Sequence, residues 1–132
     1  MKASDPDSIV EAIQTRTTVL DGATATMLTE ATAAAHLPLA DLLCIVRPEA
    51  VTALHEAYID AGADIISTDT FNANALTLKR LYHIERPDHI AGDINRAAAD
   101  LAHQSIRRAF ARDGHRRYVA GVVTPICPQP GD

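Results

Sequence analysis

Three short apolar runs alternate with longer helical stretches, and that order admits few architectures. Val19-Leu20, residues 63–68 and residues 118–123 are apolar, and each stops abruptly at polar residues. Such runs, bounded by turn residues, read as buried strands. Residues 7–14 place Ile9, Val10 and Ile13 on one helical face, with Ser4 and Asp7 at capping-box spacing. Residues 24–35 are alanine-rich and helical in character until Pro38. Pro48 suits a first helical position. It opens a stretch in which Val51, Leu54, Tyr58 and Ala61 form an apolar stripe that ends at Gly62. Residues 73–82 predict a further helix. A longer one over 88–112 carries the stripe Ile90, Ile94, Ala97 and Leu101 and closes at Asp113-Gly114.

Strand followed by helix, repeated, is the pattern of βα units on a parallel sheet. The expected fold class is therefore α/β, with about three parallel strands and flanking helices. Three strands do not close a barrel, which takes eight strands and ~250 residues. The sequence of 132 residues stops where a fourth βα unit would begin, so it reads as the front part of a larger fold. On this reading residues 1–126 form a partial domain and residues 127–132 an irregular tail. The last strand would present an open edge, a template for pairing.

Composition narrows the function classes. A formal net charge of -5 and an aromatic content of 4% disfavour nucleic-acid binding and base stacking. No apolar window approaches the ~18 residues of a membrane span. No apolar run follows Lys2 as a signal peptide would require. Cys44 and Cys127 are far apart without metal-ligand spacing, and two isolated thiols fit a reducing compartment. The expectation is a soluble cytoplasmic protein.

Parallel α/β folds bind ligands at the carboxyl ends of their strands. Asp21 and Asp69 each follow a strand, so a carboxylate pair could take an amino group, a hydroxyl or a metal. Backbone N–H groups from Gly22 to Thr26, opening a helix, would accept an anion such as a carboxylate. Together these suit a zwitterionic amino acid. A plainer alternative has Asp21 and Asp69 capping the helices that follow. The single glycine of the 20–26 turn matches neither a dinucleotide fingerprint nor a phosphate-binding loop. None of the six histidines pairs with another at i,i+4. Cys44, inside an apolar run, reads as packing. The basic cluster from Arg107 to Arg117 complements a helix C-terminus.

Several segments together resemble the homocysteine S-methyltransferase family. They are residues 18–23, Asp41 to Cys44, Arg47-Pro48-Glu49, His55 to Tyr58, residues 61–66, residues 67–73, Asn95 to Ala98 and residues 117–122. Within the family the sequence is most similar to the homocysteine-binding domain of cobalamin-dependent methionine synthases. The resemblance covers roughly residues 8–126, so the partial domain over 1–126 would be a homocysteine-binding one. It implies the N-terminal portion of a (β/α)8 TIM barrel that methylates the thiol of homocysteine, giving methionine. Carried over by position, Asp21, Gly22, Asp69, Thr70 and Asn72 would bind the substrate. The resemblance also implies zinc, held in the family by three cysteines from later strands; neither Cys44 nor Cys127 matches one. Cobalamin and methyltetrahydrofolate are implied only if the chain is part of a methionine synthase. A complementing C-terminal half-barrel or self-association would then cover the open edge, and an inactive barrel remnant is the alternative. Two glycines of the family pattern are changed, to Ala25 and Thr124, which narrows backbone access to a ligand.

Overall fold

The computed structural model describes residues 8–32 and 39–126. Pro38, the Ser4–Asp7 pair and the 127–132 tail with Cys127 lie outside the described residues. Helix α1 (Ile9–Thr15) starts instead at Ser8, whose hydroxyl accepts the Glu11 N–H at 3.2 Å. Helix α2 (Ala25–Thr32) follows. A 3-10 turn (Ala40–Leu42) then runs into α3 (Leu43–Val46), a helical segment that the sequence pattern did not reveal. Helix α4 (Pro48–Asp60) opens on its proline as expected, and Gly62 after it takes φ 103°. Strand β1 (Ile65–Ser67) precedes α5 (Ala75–Tyr82), then α6 (Pro87–Asp113) and strand β2 (Tyr118–Ala120). Gly114 ends α6 in a left-handed conformation, φ 70°, that favours glycine.

The described chain is α/β and helix-rich. Strands β1 and β2 pair in parallel, Ile66 beside Val119. The first expected strand is reduced to one parallel bridge, Leu20 to Ile65. Its hydrogen bonds give the reason. The Val19 carbonyl is taken by two donors, the N–H groups of Asp64 (2.8 Å) and Ile65 (3.1 Å). One step on, the Ser67 N–H goes to the Asp21 carboxylate at 2.8 Å and not to a backbone carbonyl. A side chain has taken over the ladder. The third strand is likewise shorter than its apolar run: beyond Ala120, Val122 pairs with threonine side chains of the neighbouring segment.

Helix α6 organises the core. It contributes Ala98 to a cluster with Leu28, Leu43, Cys44 and Val51, and Ala91 and Ile94 to one with Leu39 and Leu78. A third cluster sets its Ala102 and Ala109 against Ile59 and Ile66. Ile94 of the predicted stripe is buried as expected, but the other inward residues are small, and Ala91, Ala98 and Ala102 lie one position on from Ile90, Ala97 and Leu101, with Ser105 and Ala109 beyond them. Small side chains let the helix axis approach the sheet closely. Helix α4 also turns by about one residue, burying Val51, His55 and Ile59, while Ala61 stays exposed. Arg108 and Arg112 of the basic cluster reach Glu56 and Asp60 of α4, at 3.6 and 2.7 Å. These pairs are exposed and contribute little stability.

At the amino end of β1 the chain is clamped by one buried carboxylate. Asp64 accepts the Val19 N–H, Arg16 Nη1 and His115 Nε2, each at 2.9 Å. Burial by itself would raise this acid, but those three donors outweigh it and hold Asp64 below the usual carboxylate range.

Candidate functional site

The carboxyl ends of the strands surround an open cavity of about 340 Å³. Its walls are the 22–26 turn, residues 67–69 at the end of β1, Phe71 and Val122. A second concavity, about 230 Å³, lies at the opposite end of the sheet between Ile106, Phe110 and Arg116, without a carboxylate. Ligand chemistry in parallel α/β folds belongs to the first end.

The turn that opens the cavity is held from behind. Tyr58 on α4 donates its hydroxyl to the Ala23 carbonyl at 2.8 Å. Gly22 leaves room for that ring, since a Cβ there would stand 3.1 Å from the Tyr58 oxygen. The first N–H groups of α2, which no helical carbonyl reaches, lie at the cavity's edge. They are suited to an anionic group.

The acidic residues divide into two kinds. Asp21 is fully engaged: it accepts Ser67 N–H on Oδ2 (2.8 Å) and Ser67 Oγ on Oδ1 (2.7 Å). Asp41, buried at 1% exposure, likewise accepts the Asn72 N–H at 2.8 Å and Asn72 Nδ2 at 3.3 Å. Asp69 differs. It is 4% exposed, and its buried Oδ2 has no hydrogen-bond partner. Burial, followed by repulsion from Asp41, pushes its carboxyl up to about 7. Neither Asp21 nor Asp69 caps the next helix in the manner the plainer alternative supposes. Asn74 caps α5, accepting the Thr77 N–H at 2.8 Å, while Asp21 is occupied by Ser67.

Threonines knit the end of β1 to the chain beyond β2. Thr68 and Thr70 hydroxyls meet at 2.8 Å. Thr70 donates to the Val122 carbonyl at 2.9 Å, and the Val122 N–H donates to Thr68 Oγ1 at 3.1 Å. Of the five residues expected to bind substrate, Gly22 and Asp69 line the cavity, and Asp21 stands behind Ser67 in its wall. Thr70 and Asn72 make their bonds to Val122 and Asp41. Sequence reasoning missed the supporting roles of Asp41, Tyr58, Ser67 and Thr68. The signal for Asp41 was a lone carboxylate at the start of an apolar run. His55 is 1% exposed with both ring nitrogens unpartnered. Burial holds it below the ordinary imidazole range, against the opposing pull of Asp21 and the Ser67 backbone.

The family model of homocysteine S-methyltransferase matches residues 18–128, nearly the whole chain and both strand ends of the cavity. The chain belongs to the homocysteine S-methyltransferase family. A crystal structure of the homocysteine methyltransferase MmuM from Escherichia coli, in a metallated form, superposes with a TM-score of 0.72 at 21% identity. The match covers 86% of this chain and 40% of that one, so the chain spans less than half the length of that relative.

The family resemblance implies zinc, and the described residues do not fit it. Among them no three His, Cys, Asp or Glu side chains converge to hold a metal. Cys44 is buried, pushed up to about 12 chiefly by that burial, and directs its sulfur to the Asp69 carbonyl at 3.7 Å. A thiol so placed is a packing group, as its sequence context predicts. Among the described residues no helix is long and apolar enough to cross a membrane.

Proposed function

We propose that this chain forms the homocysteine-recognising front part of a (β/α)8 barrel, with residues 1–126 as the partial domain, that methylates the homocysteine thiol to give methionine. The observation that supports this best is the cavity of the family-matched segment. It sets an under-satisfied buried carboxyl, Asp69, across from the free N–H groups that open α2. Those two features are the complements of a zwitterion: an acceptor for an ammonium and donors for a carboxylate. In this reading Gly22 and the 22–26 turn take the carboxylate, and Asp69 faces the amino end. Asp21, Thr70 and Asn72 keep the strand ends in place through Ser67, Val122 and Asp41. The described residues therefore account for amino-acid recognition. The metal, and any cobalamin or folate chemistry, would come from residues other than these. A complementing half-barrel is the partner that the reading calls for, and the cytoplasm is the setting.

The test is thermal unfolding of the full chain with increasing L-homocysteine. Specific binding gives a saturable rise in the midpoint, about 2.7 kcal/mol of stabilisation at a hundredfold excess over Kd. An unchanged midpoint at millimolar ligand would refute the reading.

A further inference from the structure

We infer that the groove at the amino end of the sheet, between α6 and the chain leading into β2, is the seat of an acidic amphipathic helix, brought by a strand–helix unit that continues the sheet past β2. This inference rests on the barrel reading above and names the chemistry of its complementing partner. Helix α6 has two flanks. From one, Arg108 and Arg112 reach Glu56 and Asp60 of α4. The 3.6-residue period puts Ile106 and Phe110 on the opposite flank. There they wall the concavity of about 230 Å³ together with Arg107, Arg116 and Arg117. Phe110 is 49% exposed, a large apolar ring without a cover. Ile106 packs with Val119 of β2, so the groove follows the last strand.

Position and charge together select the occupant. Strand β2 pairs with β1 on one side, and its other edge is open among the described residues. A strand–helix unit that extends the sheet past this edge, with the right-handed crossover of parallel sheets, sets its helix beside α6 on the Phe110 flank. The superposed methyltransferase is matched over 40% of its length, so the larger part of that structure lies outside the matched segment. An apolar side chain of the arriving helix enters between Ile106 and Phe110. The rim sets the sign of its neighbours. Arg108, Arg112 and Arg117 have acids within this chain, Arg117 through Asp113 at 2.8 Å. Arg107 has none among the described residues. In a chain of net charge -5 the groove is thus a local excess of positive charge, complementary to glutamate or aspartate. The same charge argues against a second copy of the groove. A symmetric dimer would set Arg107 and Arg116 against their own counterparts.

The probes are two amidated helical peptides of about 20 residues. Both carry the same leucine stripe at 3- and 4-residue steps, flanked by glutamate in one and by lysine in the other. Each is labelled and titrated with the full chain by fluorescence anisotropy, at about 0.05 M and about 0.5 M salt. The glutamate peptide is expected to bind at least about tenfold more tightly than its lysine twin, and to weaken about tenfold in high salt. Arg107→Glu should erase that preference, and Phe110→Ala should weaken the glutamate peptide about tenfold. Both side chains are exposed, so neither variant is expected to unfold the chain. Equal binding of the twins, or binding of the glutamate peptide that is indifferent to both variants, overturns the inference. Sedimentation that shows self-association of the chain, lost in Phe110→Ala, overturns it too by giving the groove to a second copy. The midpoint shift with L-homocysteine, measured on the same variants, keeps the two readings apart. If that shift persists while neither peptide binds, the groove inference falls alone. If the glutamate peptide binds as described and the shift is absent, the homocysteine reading falls and the groove stands.

Discussion

Replacing Asp64 with asparagine removes one charge and converts one acceptor oxygen to a donor, at the point where three segments meet. In the native chain Oδ2 accepts the Val19 N–H, and Oδ1 accepts Arg16 and His115, each at 2.9 Å. An asparagine carbonyl can face only one side. If it faces Arg16 and His115, the new NH2 confronts the Val19 N–H, donor against donor. Losing a hydrogen bond to a charged acceptor and leaving a part-buried N–H unpaired costs about 2 kcal/mol. The ion pair with Arg16, whose side chain is 31% exposed, adds about 1 kcal/mol or less after solvent screening. The total of about 3 kcal/mol corresponds to a drop in Tm on the order of 10 °C for a domain of this size. Urea unfolding followed by far-UV circular dichroism measures it directly. The sign of the pH dependence follows from the lowered acid. Its stabilisation is present above the unfolded value and is lost as pH falls through the folded one. The gap between parent and Asp64→Asn should therefore close as pH falls below the ordinary carboxylate range. A loss below about 1 kcal/mol, or a gap that persists in acid, would refute the clamp.

Tyr58→Phe should cost about 1 kcal/mol in chemical denaturation by leaving the Ala23 carbonyl without its donor. Gly22→Ala should act on the same contact, since the new methyl would sit 3.1 Å from the phenol oxygen. The two changes together should therefore cost less than the sum of each alone. Cys44 should resist iodoacetamide at pH ~8 in the folded chain, where a thiol raised to about 12 is ionised to only about one part in ten thousand. Peptide mapping should find it alkylated only after unfolding. His55→Leu should flatten the loss of stability between about pH 7 and about pH 5. The unfolded histidine gains a proton that the buried one refuses, so the parent weakens as pH falls.

Much of the architecture was legible because strands and helices here have distinct periods. Pro48 opened α4 and Gly114 closed α6 as their backbone chemistry dictates. The inward faces were harder to read. The predicted stripe found Ile94, but its Ile90, Ala97 and Leu101 pack from the flanks of the clusters, while Ala91, Ala98 and Ala102 face the close neighbours. Size, more than hydrophobicity, decides which residue points at a nearby backbone. The burial of His55 had no signal in the sequence, because polarity alone cannot foretell burial. The strand that shrank to Leu20 shows the same limit. Its apolar run was correctly located, but the Asp21 carboxylate replaced a backbone acceptor, which no periodicity reveals. At the site, the two acids after the strands were visible in the sequence, whereas their different hydrogen bonding required tertiary neighbours such as Ser67 and Asp41.

The pairing of β1 with β2 joins residues far apart in the chain: Ile65 lies beside Tyr118, and Asp21 reaches Ser67 across 46 positions. No hairpin brings these segments together, so each contact must wait for a long loop to close. Helices α4 and α6 form from local contacts and are the elements that can shorten that search by docking first. Refolding should accordingly show early helical signal, with the strand ends, and the cavity they enclose, completed in the slowest phase. Binding competence would then lag behind helix content, and a ligand that favours the finished cavity would slow unfolding more than it speeds folding.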